Sequence, residues 1–396
     1  LYKTSDYGQS WVKITKGINK EHFTRVLRAD PSRKGLLYAG TETGMYISFD
    51  DGASWNPFQL NLPIVPITDL TLKDNSLIVA TQGRSLWMID DLTVLHQLNQ
   101  QVVDQEVTLF KPKDSYRTQG RSRSSLTQGT NLPNGVIVHF NVKDFDAAKD
   151  TIQLHFKEKG GELIKTFSTA SEKDKLDIKV GGNQFVWNTR YKGAERLEGM
   201  ILWGASLSGA KAVPGDYTVS LQKNETVIEQ SFSILPDPRA ETSIADMQKQ
   251  FDFVNSVNQT LDEAHQAIKN IRSINKKLSA FETNYGNLNE AKAILKTATD
   301  LKNEFSEIEK ALYQTQNKSN QDPLNFPIRL TNKLGHINNL VMSSDFPPTD
   351  QDSEVSKLLT NQIKEQMKRY NKLVKEDLES FNKTFADLKL DYLTLK

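Results

Sequence analysis

The sequence predicts a multidomain chain: partial β-propeller blades, then an immunoglobulin-like β-sandwich, then an antiparallel α-helical bundle. Three observations lead there. A turn motif repeats within the first 60 residues, the stretch over 131–238 alternates polar and apolar residues, and from about 240 the apolar period lengthens to about 3.6.

The repeat comes first. Thr4-Ser5-Asp6-Tyr7-Gly8-Gln9-Ser10-Trp11 is matched by Ser48-Phe49-Asp50-Asp51-Gly52-Ala53-Ser54-Trp55. Both read (Ser/Thr)-x-Asp-x-Gly-x-Ser-Trp. Their spacing falls in the roughly 40–45 residues of a four-stranded propeller blade. Each copy follows a strand-like stretch, Leu1-Tyr2 or Met45-Tyr46-Ile47. Asp at the third position accepts from turn amides, Gly at the fifth supplies φ > 0, and Trp packs between strands. Between the copies, Phe23–Ala29 and Leu36–Thr41 read as strands around a turn at 30–35. Ile67–Leu72, Ser76–Thr81 and Ser85–Asp90 read as a further blade without its Asp turn. Propellers close with about four to eight blades, and residues 1–100 hold about two and a half. The expected complement is the remainder of the propeller, from upstream polypeptide or another chain.

Residues 101–130 read as a linker. Val107–Phe110 is one candidate strand, and 117–130 is expected to be a mobile or draped loop with Arg117, Arg121 and Arg123 as a small basic cluster. Over 131–238, short strands are separated by turns at Gly160-Gly161, Gly181-Gly182 and Pro214-Gly215. About seven strands in such a length suit a sandwich. From 240 to 396, Ser243 caps a first helix. Apolar positions at helical spacing then mark three long helices and a shorter one, the last run beginning near Val355.

Composition limits the chemistry. The 396 residues hold 50 basic against 49 acidic side chains, which argues against nucleic-acid binding. There is no cysteine, so disulfides, thiolate zinc sites and cysteine nucleophiles are excluded. No apolar run is long enough to span a bilayer. The six histidines stand at no metal-ligand spacing, and neither a Gly-rich phosphate loop nor a Gly-x-Ser-x-Gly elbow is present. We therefore expect no cofactor and no metal.

Two groups stand out as candidate sites. Asp6 and Asp50 read as structural turn residues together with Thr4, Gly8, Ser10, Trp11, Ser48, Gly52, Ser54 and Trp55. One Asp per turn does not make a calcium site, which takes six to eight oxygens. The stretch Gln82–Asp91 puts Arg84 and Trp87 beside Asp90 and Asp91. An Arg84–Asp ion pair is the plain expectation. A ligand or glycan contact, with Trp87 as stacking platform, is the functional one.

The two turns resemble the Asp-box, or bacterial neuraminidase repeat, of sialidases, xyloglucanase-type hydrolases and sortilin-like receptors. The run Ala80–Leu92, the Pro214-Gly215-Asp216-Tyr217-Thr218-Val219 strand and the helical tail resemble, in that order, large exported bacterial proteins labelled sortilin-like or glycosyl-hydrolase-like. The resemblance implies a non-catalytic binding or scaffold protein of the bacterial cell envelope or surface, periplasmic, outer-membrane-associated or extracellular. Its propeller would hold a protein or peptide partner, or a glycan. The alternative it implies is a glycoside hydrolase whose catalytic carboxylates lie upstream of Leu1. No residue of this sequence matches a catalytic position of those enzymes, and the reading leans away from an enzyme.

Overall fold

The structure is a computed structural model that describes residues 1–118 and 129–388. It is mixed: several antiparallel sheets come first and a helical region last. The chain divides into two compact units. Among the described residues, the first holds 1–115, 129–187 and 216–233; the second holds 116–118, 188–215 and 234–388.

The first unit opens with a short ribbon of β1 (Tyr2–Lys3) and β2 (Val12–Lys13). A four-stranded antiparallel meander follows: β3 (Thr24–Ala29), β4 (Leu37–Thr41), β5 (Gly44–Ser48) and β6 (Asn56–Pro57). A three-stranded meander is next: β7 (Ile67–Lys73), β8 (Ser76–Thr81) and β9 (Leu86–Ile89). Every residue of β4 and β5 is buried, because this sheet is covered on both faces. On one face Tyr38, Met45 and Ile47 pack with Ile67, Leu70, Leu77 and Val79 of the next meander. On the other, Leu37, Ala39, Tyr46 and Trp55 pack with Leu1 and Ile18.

Two short helices, α1 (Thr93–Gln97) and α2 (Gln100–Asp104), lead into β10 (Val107–Leu109) and β11 (Ser115–Arg117). The remaining strands are β12 (Val136–Val142), β13 (Ile152–Glu158), β14 (Leu163–Ser168), β15 (Gly181–Trp187), β16 (Gly215–Lys223) and β17 (Thr226–Pro236). They form a three-stranded sheet, β10-β12-β15, and a five-stranded sheet, β11-β17-β16-β13-β14. β12 alternates buried with half-buried residues along its length, as a strand packed on one face should. The sheets meet through aromatic rings: Trp187 of β15 stacks on Phe156 of β13 at 4.6 Å, and its edge faces Phe232 of β17.

The second unit is built on α3 (Ile244–Tyr285), α4 (Lys292–Leu312), α5 (Leu330–Val341), α6 (Asp350–Lys372) and α7 (Leu378–Asp387). One π-helical turn, Leu373–Asp377, joins the last two into a continuous rod. Three long helical runs and a shorter one are thus present. The Ser243 side chain caps α3 by accepting from the Asp246 N–H at 3.1 Å. Thr349 caps α6 in a capping box with Asp352. Residues 188–215 have almost no regular structure, yet Ala194, Leu197 and Met200 join the core formed by α3, α4, α5 and α6.

His265 sits in that core, 1% exposed. Its Nδ1 donates to the Glu195 carbonyl at 2.6 Å, and its Nε2 has no hydrogen-bond partner. Burial pushes the imidazole below the usual histidine range, against the pull of Glu195 and Asp262. The sign follows from proton binding. Below about pH 6.5 the unfolded chain takes up more protons at this site than the folded one. The stability contribution is therefore full above that pH and is lost as pH falls. His265→Gln is expected to flatten the acid side of the stability profile by up to about 1.4 kcal/mol per pH unit. Urea midpoints measured between pH 7.5 and 5 check this; parallel profiles for the two proteins would refute it.

The structure corrects one expectation in the linker. Arg117 does not lie in a mobile loop: it ends β11 and is 1% exposed. Arg121 and Arg123 lie outside the described residues.

Candidate functional site

The two Asp turns have the same wiring. In the first, the Asp6 carboxylate accepts from the Ser10 N–H (2.9 Å), the Ser10 hydroxyl (2.6 Å) and the Thr4 hydroxyl (2.7 Å), while the Thr4 oxygen accepts from Gly8 N–H at 2.8 Å. In the second, Asp50 accepts from Ser54 N–H (2.8 Å), the Ser54 hydroxyl (2.5 Å) and the Ser48 hydroxyl (2.8 Å), and Ser48 accepts from Gly52 N–H at 2.9 Å. The residues between the polar positions fold back through left-handed backbone: Tyr7 and Gly8 at φ 57° and 92°, Asp51 and Gly52 at 60° and 85°. The Ser10 hydroxyl leads the Ser10 amide and the Thr4 hydroxyl in holding Asp6 down to about 2. Burial opposes the same trend at Asp50, but bonds from Ser54 and Ser48 hold it below its usual range. Each carboxylate thus serves as the acceptor hub of its own loop, and neither is poised to take a proton near neutrality.

The Trp residues of the two turns diverge. Trp55 is 3% exposed, its indole N–H donating to the Ile14 carbonyl at 2.9 Å and its amide to Lys16 at 2.9 Å. Trp11 is 59% exposed.

Arg84 and Trp87 stand at the β8–β9 turn. Trp87 donates its indole N–H to the Arg84 carbonyl at 2.9 Å, and Arg84 Nη1 reaches only the Gly83 carbonyl at 3.1 Å. The expected Arg84–Asp ion pair is not found among the described residues. Asp91 is instead held by Asn75 Nδ2 and the Thr93 N–H, both at 2.9 Å. Asp90 is pushed up by burial, against Lys113.

β9 is the last strand of its sheet, and among the described residues nothing pairs with its outer edge. Leu86 and Met88 on it are exposed, as is Leu60 nearby. A shallow pocket of about 40 Å³ opens there, lined by Met45, Phe58, Leu60, Val79, Trp87 and Met88. The sequence pointed to the Arg and Trp of this turn. It did not single out Leu86 and Met88, whose alternation in a strand signals one exposed face only once the sheet order is known.

A second groove of the first unit, about 650 Å³, is lined by Val94, Phe110, His139, Asp177, Lys179 and Asn183. Burial holds His139 below the usual histidine range, with Asp91 pulling the other way. Asp177 is taken by Lys175 at 2.7 Å. Among the described residues no cluster of three or more His, Asp or Glu is placed to hold a metal, and no helix is long and apolar enough to cross a membrane.

No family model matches the chain, and no curated protein matches it. Two solved structures show very weak similarity. One is the extracellular domain of a hybrid two-component system of B. thetaiotaomicron, with 9% identity over 58% of this chain and 28% of that one, at a TM-score of 0.19. The other, called pT26-6p, has 12% identity over 61% and 48% of the two chains, at a TM-score of 0.14. The chain thus spans well under two thirds of either.

Proposed function

We propose that this chain belongs to a non-catalytic binding or scaffold protein of the bacterial cell envelope or surface. In this reading the meanders β3–β6 and β7–β9 are propeller blades, and the two packed sheets after them form an immunoglobulin-like sandwich. Two facing meanders with a saturated Asp turn after the third strand of the first support the blade assignment. The resemblance of those turns to Asp-boxes supports the exported setting.

The observation that carries the binding role is the β9 edge. It offers unpaired backbone groups flanked by exposed Leu86 and Met88, beside the pocket under Trp87. Such an edge takes an extended apolar peptide by strand addition, with main-chain hydrogen bonds for affinity and side-chain pockets for selectivity. The carboxylates of the Asp turns, by contrast, are committed to their own loops.

The test is selection of peptides from a displayed library on the purified chain, followed by calorimetry. Leu86→Lys with Met88→Lys is expected to weaken the selected peptides at least about tenfold while leaving the melting temperature nearly unchanged, since both side chains are exposed. Unaltered affinity in that variant overturns the reading. So does glycan hydrolysis by the protein that is abolished by substituting one carboxylate.

A further inference from the structure

Two charged side chains bracket β9, and among the described residues neither has a partner of opposite sign. Arg84 stands just before the strand, exposed, and its guanidinium bonds only to the neighbouring Gly83 carbonyl at 3.1 Å. Asp90 follows the strand and is half-buried. Its backbone carbonyl accepts from the Ser76 hydroxyl at 3.1 Å, but among the described residues its carboxylate makes neither a hydrogen bond nor an ion pair. A carboxylate withdrawn from water without a partner is unfavourable. Burial accordingly pushes Asp90 up, with Lys113 pulling it down and Asp91 adding to the rise. Lys113 attracts Asp90 without pairing with it. Asp91 is already bonded by Asn75 and by the Thr93 N–H. The strand thus has an uncommitted cation where it begins and an uncommitted anion where it ends.

Between the two charges the side chains alternate: Leu86 and Met88 are exposed, Trp87 and Ile89 half-buried. A residue paired directly opposite shares the face of its partner. The β7-β8-β9 sheet is antiparallel throughout, and antiparallel pairing is the more stable per residue. A strand added in that sense begins beside Asp90 and finishes beside Arg84. We propose, resting on strand addition at β9 as argued above, that this edge takes a dipolar extended peptide: a basic side chain first, two apolar side chains at alternate positions against Met88 and Leu86, and an acidic side chain last, the two charges about six positions apart. The peptide's Lys or Arg pairs with the Asp90 carboxylate, and its Asp or Glu engages Arg84. Backbone hydrogen bonds alone leave direction and register loosely fixed; complementary charges at both ends select one of each.

The test measures end-capped, dye-labelled peptides against the full chain by fluorescence anisotropy. The probes are Lys-Thr-Val-Thr-Val-Thr-Glu, the same peptide with Lys and Glu exchanged, and a form with Gln at both ends. The first is expected to bind at least about tenfold more tightly than the exchanged form, and the gap should narrow as salt is raised. Arg84→Glu alters an exposed side chain and is expected to shift the preference to a peptide with Lys at both ends. Leu86→Lys with Met88→Lys is expected to abolish binding of every form. Equal affinities for the three forms, with binding still lost in the Leu86 and Met88 variant, overturn the charge code and leave strand addition standing. Tighter binding of the exchanged form overturns the code equally. Binding that ignores the Leu86 and Met88 variant, or no binding by any form, overturns strand addition at this edge and the code with it.

Discussion

Replacing Arg117 by alanine is expected to cost about 3–5 kcal/mol in the unfolding of the second unit. One guanidinium there joins four stretches of chain. Its Nε holds Asp345, its Nη1 donates to the carbonyls of Lys211 (2.9 Å) and Ala212 (2.8 Å), and its Nη2 donates to Gln250 Oε1 at 2.8 Å. Gln250, on α3, passes the tie onward: its Nε2 donates to the carbonyls of Val341, Ser344 and Phe346 at 3.0, 2.8 and 2.8 Å. Truncation removes the side chain from a site 1% exposed and strips those buried acceptors of their donor. Arg117→Lys restores the charge but not the planar fork, so it should recover less than half of the loss. Arg117→Met, close in volume, separates packing from hydrogen bonding. Denaturant titration read by far-ultraviolet circular dichroism follows mainly the long helices α3 to α7, which lie in this unit. A loss below about 1 kcal/mol in Arg117→Ala would show that the network is ornamental.

That network also marks where the sequence stops being legible. The Asp turns are readable because every partner lies within seven positions: Asp6 with Ser10, Ser48 with Gly52. Helix α3 is readable because its cap and its buried stripe, from Met247 through Leu261 and Ile268 to Leu278, follow from local spacing. The alternation over Val136–Val142 likewise marks a strand packed on one face. Arg117 gives no such signal. It stands among Ser, Gln and Thr, and its partner Asp345 is 228 residues away. A polar stretch reads as loop unless its distant partner is known. The same limit explains Arg84. Two acids follow it closely in sequence, but Asp91 is claimed by Asn75, which the hairpin brings across from the other end of β8. Residues 188–215 lack any period, so nothing local reveals that Ala194, Leu197 and Met200 are buried against helices.

Trp11 and Trp55 offer a comparison in which the residue and its motif are constant and only the neighbours change. Trp55→Ala is expected to cost about 3–5 kcal/mol in the unfolding of the first unit. It empties a fully packed site and frees the Ile14 carbonyl from its indole donor. Gly17 shows how closely that segment lies over the Trp55 backbone: a Cβ there would stand 2.1 Å from the Trp55 carbonyl oxygen. Trp11→Ala in the same chain is expected to cost less than about 1 kcal/mol, because the ring is 59% exposed. Near-ultraviolet circular dichroism and tryptophan fluorescence against denaturant measure both. The motif itself adds little to either number, since the hydrogen-bonded turn survives both substitutions. What separates them is the segment 14–18 laid across Trp55, whose counterpart over Trp11 is absent among the described residues. If the blade reading is right, an assembly that lays a strand across Trp11 raises the cost of Trp11→Ala toward that of Trp55→Ala. Equal losses in this chain by itself would mean that the Trp side chain stabilises its own turn, and the repeated-blade reading would then lose its main energetic support.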